Sequence, residues 1–275
     1  MPVPIPTLHL FPILDKKLVE LLRSLSPDDW QKPTRAKQWT VKDIASHLLD
    51  GNLRTLSISR DKFFGESPGN INSYQDLVYF LNQLNADWVK ATRRLSPTVL
   101  IHLLETTGTL YHEHLSSLDP MADAIFSVAW AGEERSLNWF HIAREYTEKW
   151  HHQQQIRETV GQDGITTRAL YYPVLDTFLQ ALPHHYRSTS ASDGATITIV
   201  ITGEAGGAWS IVYHDYQWKF TTRPSSPSCT ITLKDEDAWK LFTKGLTLAE
   251  AQACIQLQGD RSLGEPIFTM LSVMA

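Results

Sequence analysis

One segment of the sequence, EKWHHQQQIR at residues 148–157, combines a carboxylate, two histidines and three glutamines. Helical residues four apart are neighbours on one face, so Glu148 and His152 lie side by side if this segment is a helix. At about 100° per residue, His141 and Glu145 fall on the same stripe, and the opposite face is aromatic. A carboxylate and an imidazole one turn apart can both reach one ion inside a helix bundle. The stripe therefore predicts a divalent metal site.

One helix cannot complete such a site, and the best further donor is His47. It lies near the edge of the apolar face formed by residues 41–48, and Arg54, two turns later, shares its side of the helix. Two imidazoles and one carboxylate form the ligand set of an open, catalytic site, which suits zinc, nickel or iron. The alternative is that the stripe is a buried polar network without an ion. We interpret the other helical histidines as structural or solvated: His102, His112, His114, His151, His184 and His185.

Composition excludes several classes of function. The 275 residues are 42% hydrophobic and 20% charged, which is ordinary for a globular chain of two domains. A formal net charge of -5, without a basic cluster, argues against nucleic acid as a partner. No apolar run could span a bilayer, and the N-terminus lacks the order of a signal peptide, so we expect a cytoplasmic protein without a membrane partner. Cys229 and Cys254 match neither a disulfide framework nor a zinc spacing, which predicts buried thiols.

Helical periodicity dominates the first part of the chain. Helices are predicted at residues 14–25, 39–64, 72–95, 96–120 and 136–161. Thr40 and Asp43 stand in the arrangement of a capping box, so Thr40 is the expected N-cap of the second helix.

The pattern changes near residue 165. A helix around 171–182 precedes four alternating segments, ATITIVIT, GAWSIVYHD, YQWKFTT and CTITLK, which predict an antiparallel meander. Two helices, a short apolar IQLQ segment and a final helix SLGEPIFTMLSVMA close the chain. The sequence thus predicts two domains, α followed by α/β: a helix bundle at 1–165 and a smaller antiparallel-sheet-and-helices domain at 166–275.

Two blocks, WTVKDIASHLLDGNLRTLSISRD and REYTEKWHHQQQIR, stand about a hundred residues apart. In this order and spacing they resemble the N-terminal domain of the mycothiol-dependent maleylpyruvate isomerase family, a branch of the DinB-like metal-binding four-helix bundles. GEAGGAWSIV, residues 239–245 and GDRSLGEPIFTMLSVMA resemble the small sterol-carrier-like α/β domain that follows the bundle in that family. The resemblance covers nearly the whole chain and implies both domains.

The resemblance also implies metal ligands. The family holds a divalent metal, usually zinc, with a histidine of the second helix and a Glu-x-x-x-His pair of the last bundle helix. These positions fall on His47, Glu148 and His152. Many DinB-like relatives have a histidine where Glu148 stands, so Glu148 places this chain near the isomerase branch. Glu145 is the rival carboxylate.

Other residues would support the ligands or contact the substrate. We assign Glu145 and His141 to the surroundings of the metal or to the pocket wall, and Arg54 to the same group. Relatives often carry an arginine near the end of the first helix of the C-terminal domain, where this chain has Lys244 in FTKGL. Because lysine orients a carboxylate less well than arginine, this departure puts a dicarboxylate substrate in question.

Three hypotheses for function follow. The favoured one is a divalent-metal-dependent isomerase or transferase in which the metal activates an external, mycothiol-like thiol for attack on a small electrophile. The second is a metal-dependent hydrolase that uses water and no thiol. The third is a non-enzymatic protein that binds a small ligand or lipid. The oligomeric state does not follow from the sequence.

Overall fold

The computed structural model describes residues 2–36, 38–222, 224 and 226–274. Contacts between residues divide the chain into two compact units. The first runs through Ile125 and resumes at Glu148–Gly164; the second takes Phe126–Thr147 and the chain from Ile165 onward. The predicted division into two domains at residue 165 stays a prediction, because these contacts also group Phe126–Thr147 with the second unit.

Helices form the first unit, at the positions that the apolar periodicity predicts. They are α1 (Phe11–Ser24), α2 (Val41–Thr55), α3 (Tyr74–Thr92), α4 (Pro97–Ser116) and the C-terminal part of α5 (Asn138–Val160). One difference concerns the end of the second helix, which was expected at residue 64. The α-helix ends at Thr55 and a π-helical turn, Leu56–Arg60, follows it. Lys62 then adopts a φ of 58°, which a continuing helix does not allow.

The start of α2 is a capping box, as predicted. The Thr40 hydroxyl accepts a hydrogen bond from the backbone N–H of Asp43 at 3.3 Å. The Asp43 carboxylate in turn accepts from the backbone N–H of Thr40 at 2.9 Å. Two of the N–H groups that a helix start leaves unpaired are thereby satisfied.

The core of the first unit is a layer of apolar side chains from four helices, which is a four-helix bundle arrangement. Its buried members are Leu18, Leu21, Leu22, Trp30, Val41, Ile44, Ala45, Leu48, Leu49, Leu100, Leu104 and Ile156. Trp39, just before α2, and Trp88 of α3 are partly buried and pack against this core. The core therefore holds α2 against α4 and α5.

The second unit contains a sheet and short helices. Its strands are β1 (Thr196–Thr202), β2 (Gly207–His214), β3 (Gln217–Phe220), β4 (Cys229–Lys234) and β5 (Gln256–Gly259). Its further helices are α6 (Arg168–Leu179), α7 (Leu182–His185), α8 (Asp235–Phe242), α9 (Leu248–Cys254) and α10 (Arg261–Gly264).

The sheet is mixed, which corrects the predicted antiparallel meander. Its strand order is β3-β2-β1-β4-β5, and β4 pairs with β1 in parallel, with Ile199 opposite Ile231. The other neighbouring strands are antiparallel. Alternation of apolar residues identifies a strand and its buried face but carries no information on which strand lies beside it. The almost continuous burial of β1 fits its central place in the sheet.

The end of the chain corrects a second expectation. The predicted final helix is reduced to α10 and a 3-10 turn, Glu265–Thr269. Pro266 lacks a backbone N–H and cannot continue an α-helix, which accounts for the change. The IQLQ segment supplies the edge strand β5.

Both cysteines are free thiols in the second unit. Cys229 is buried on β4, and Cys254 is partly buried at the end of α9. Burial raises the pKa of each thiol. Among the described helices, none combines the length and the apolar character needed to cross a membrane.

Candidate metal centre

His47, Glu148 and His152 form one cluster in the first unit. Each offers one ligand atom, and the three atoms lie within 4.8 Å of one another. His152 Nε2 lies 3.6 Å from Glu148 Oε2. Ligand atoms around a tetrahedral ion lie roughly 3.4 Å apart, so this pair already has the spacing that an ion requires.

Two helices position the cluster. His47 lies on α2 just after Ile44 and Ala45, which are fully buried in the bundle core. Glu148 and His152 are one turn apart on α5, close to the fully buried Trp150. Because the core fixes the facing sides of both helices, the three polar side chains meet at its edge.

The ring of His152 is oriented by a neighbour on α5. Its Nδ1 lies 2.9 Å from Gln155 Oε1, an oxygen that can only accept, so Nδ1 carries the proton. His152 Nε2, the other ring nitrogen, lies beside Glu148 and is the one that could bind an ion. Histidines that bind metals are usually held in this way, by a hydrogen bond through the other ring nitrogen.

His47 also has the properties of a metal ligand. Its Nδ1 is buried and has no hydrogen-bond partner among the described residues. Burial, and next the neighbouring His152, lowers the pKa of His47 well below its ordinary value, while Glu148 acts in the opposite direction. The imidazole is therefore neutral near pH 7 and offers a lone pair.

Glu148 is held as a carboxylate. Burial on its own would raise the pKa of Glu148, but the nearby His151, His152 and His47 outweigh burial and bring the pKa below its ordinary value. The side chain is 31% exposed, against 9% for His152, so the cluster opens on the Glu148 side. A carboxylate is the form in which a glutamate side chain binds a divalent ion.

The two other residues of the predicted stripe have a different partner. Arg144 Nη2 lies 2.7 Å from His141 Nδ1 and 2.7 Å from Glu145 Oε1. Glu145, the rival carboxylate, is thus paired with a guanidinium, and the three-residue cluster includes neither it nor His141. Their role in supporting the site stays a prediction.

The sequence places Arg54 around the metal or in the pocket wall and makes Lys244 a candidate contact for an acidic substrate. Arg54 Nε lies 3.1 Å from Asp50 Oδ2, and the charge of Arg54 contributes to the low pKa of His47. Lys244 belongs to the second unit, where it is exposed and follows α8 with a φ of 62°. Its contact with an acidic substrate stays a prediction.

Sequence reasoning missed three neighbours of the cluster. Gln155 could have been found, because it stands three residues after His152 on the same helix. His151, assigned a structural or solvated role, has a ring centroid 4.0 Å from that of His152. No sequence pattern indicates that Trp39 contacts the cluster, because this contact depends on how the loop before α2 folds.

The sequence pattern of the mycothiol maleylpyruvate isomerase N-terminal domain matches residues 11–157. This match covers more than half of the chain and includes all three members of the cluster. No curated protein matches the sequence.

Solved structures extend the comparison to the fold. A histidine-to-alanine mutant of mycothiol-dependent maleylpyruvate isomerase is 10% identical, with a TM-score of 0.56 over 94% of this chain and 93% of its own. A second structure of mycothiol-dependent maleylpyruvate isomerase is 11% identical, with a TM-score of 0.53 and 88% coverage of both chains. At these identities the similarity concerns the fold alone.

A sterol carrier protein 2 like 2 from Aedes aegypti is 19% identical over 34% of this chain and 93% of its own. Its TM-score of 0.27 is too low for an argument, so the sterol-carrier relationship of residues 166–275 stays a prediction. The family match over residues 11–157 is independent of these structural comparisons. By this match, the chain belongs to the mycothiol maleylpyruvate isomerase N-terminal domain family.

Proposed function

We propose that this chain is a divalent-metal-dependent enzyme of the thiol-dependent isomerase or transferase type. The observation that carries the proposal is the cluster of His47, Glu148 and His152, with ligand atoms within 4.8 Å of one another. Family membership supplies the reaction class, because solved relatives are named mycothiol-dependent maleylpyruvate isomerase.

The three cluster residues would hold the ion, with zinc as the proposed metal. His47 contributes a neutral imidazole, Glu148 a carboxylate, and His152 the Nε2 lone pair that its contact with Gln155 leaves free. A divalent ion held by two imidazoles and a carboxylate lowers the pKa of a bound thiol and polarises a carbonyl. The exposed side of Glu148 is the expected approach for small molecules.

The thiol is proposed to come from outside the protein. Cys229 and Cys254 both lie in the second unit, and burial raises the pKa of each. A raised pKa keeps a thiol protonated and therefore a poor nucleophile. A low-molecular-weight thiol of the mycothiol kind would fill this role. We also propose that the protein acts in the cytoplasm, where such thiols stay reduced.

The substrate is proposed to be a small electrophile. Arg54 is a candidate partner for a carboxylate on that substrate, because Asp50 is its sole polar partner in the described part of the chain and contacts it through Nε. The two terminal nitrogens of a guanidinium can then engage an anion in a bidentate manner. Maleylpyruvate, which the names of the relatives include, is the first compound to test.

The test is an activity assay with and without thiol. Maleylpyruvate and a panel of small electrophiles are incubated with the protein, and the cis-to-trans isomer or the thiol conjugate is quantified by liquid chromatography. We expect turnover that requires both the thiol and a divalent metal, and that falls more than about 100-fold in His152→Ala.

The matched control is His102→Ala, which removes an exposed histidine of α4 outside the cluster. It should retain full activity. Thiol-dependent turnover that survives in His152→Ala would refute the proposed site. Hydrolysis of ester or amide panels without thiol would instead assign the cluster to a hydrolase.

A further inference from the structure

We propose that Trp39 is a positioning residue of the metal centre, which holds the rings of both histidine ligands. The inference rests on the proposed function, because it assigns Trp39 a role toward the ion that His47 and His152 would bind. Trp39 lies outside the ligand set and outside the helices that carry it.

Three rings meet at the cluster. The indole of Trp39 has its centroid 4.7 Å from that of His47 and 6.0 Å from that of His152. The two imidazoles are 4.8 Å apart and nearly perpendicular, at 77°. These separations are those of packed aromatic pairs, so each imidazole is in contact with the indole and with the other imidazole.

Hydrogen bonds fix the backbone of Trp39 just before α2. The carbonyl of Trp39 accepts hydrogen bonds from the backbone N–H of Thr34 at 3.0 Å and from its hydroxyl at 2.8 Å. The Trp39 N–H donates to Ala36 O at 2.7 Å, and Thr40, the next residue, is the N-cap of α2. Trp39 is therefore hydrogen-bonded within its loop and directly precedes the N-cap of the helix that carries His47.

This arrangement has two consequences for an ion. The indole packs against both imidazoles and limits their rotation, which would hold the ligand nitrogens near one geometry before an ion arrives. The indole also replaces water on one side of the cluster, which strengthens the attraction between an ion and the Glu148 carboxylate. Both effects raise metal affinity without a bond from Trp39 to the ion.

Trp88 provides the comparison for a purely structural role. It is also partly buried against the bundle core, and its indole N–H donates to Ser46 O at 2.8 Å. Among the described residues, its ring makes no contact with either histidine of the cluster. Loss of Trp88 should destabilise the bundle and leave metal binding intact.

The experiment is a Co2+ titration of the full chain, monitored by visible absorption and by competition with a chelator. We expect Trp39→Leu to bind Co2+ about tenfold more weakly, with an altered absorption spectrum. Trp39→Phe keeps an aromatic ring and should restore the affinity to within about threefold of wild type. Trp88→Leu should lower the unfolding temperature but retain the wild-type affinity and spectrum.

A second readout covers the case in which Trp39→Leu does not fold. Bound Co2+ quenches nearby indole fluorescence, so the conservative Trp39→Phe variant should lose the most strongly quenched part of the signal. Wild-type affinity and spectrum in folded Trp39→Leu, or unchanged quenching in Trp39→Phe, would overturn the role of Trp39. A folded wild type that binds no Co2+ would overturn the metal centre itself, and this inference with it.

Discussion

At the scale of single residues, the spacing of the sequence predicts the three candidate ligands but not all of the contacts that surround them. Glu148 and His152 follow from their separation of four on one helix, and His47 follows from its place at the edge of an apolar face. The pairing of Glu145 with Arg144 could not be predicted from the sequence, because a carboxylate on the stripe can bind either an ion or a neighbouring cationic side chain. The contacts of the Trp39 ring with the two histidines likewise cannot be predicted from helical periodicity, because Trp39 lies in a loop.

Gln155 gives a prediction at this scale. Its side-chain oxygen lies 2.9 Å from His152 Nδ1, and as an acceptor it favours the tautomer whose Nε2 can bind an ion. We expect Gln155→Leu to weaken metal binding by about 10-fold to 100-fold, because His152 loses both its orientation and its tautomer. Affinity is measured by competition with a chelator of known strength.

The matched variant is Gln155→Glu, which keeps an acceptor in the same position and should retain most of the affinity. Equal affinity in Gln155→Leu and wild type would mean that the hydrogen bond has no part in metal binding.

At the scale of elements, sequence signals were most reliable at helix starts and least reliable in the sheet. The capping box at Thr40 is a local device, encoded by two residues three apart, and it is found where it was predicted. The parallel pairing of β1 and β4 depends on a crossing of the chain that no local pattern records. The reduced final helix follows from Pro266, whose effect the apolar periodicity of that segment does not show.

Thr40 gives a prediction for α2. Thr40→Ala removes the acceptor of the Asp43 N–H and should lower the free energy of unfolding by about 1 kcal/mol. The measurement is urea unfolding followed by circular dichroism. Thr40→Ser keeps the hydroxyl and should lose little stability; equal losses in the two variants would contradict the capping role.

At the scale of the whole molecule, the first unit joins α5 to α2 through the cluster, so an ion should stabilise it. A ligand present at 100 times its dissociation constant adds about 2.7 kcal/mol to the folded state. For a unit of this size we expect the unfolding temperature to rise by roughly 5–10 °C with zinc and to fall again with a chelator. Differential scanning fluorimetry measures this shift.

Glu148→Gln is the matched variant for that shift, because it keeps the size of the side chain and removes its charge. The variant should show little response to zinc. A shift as large as that of wild type would place the ion elsewhere in the molecule.

The central claim is that His47, Glu148 and His152 bind a divalent metal ion. Elemental analysis of the purified protein tests it most directly, with wild type beside Glu148→Ala, His152→Ala and the control His102→Ala, all matched for folding by circular dichroism. We predict about one ion per chain in wild type and in His102→Ala, and a loss of that ion in both cluster variants. A folded wild type that takes up no divalent metal even when it is offered would contradict the claim and leave the cluster as a buried polar network.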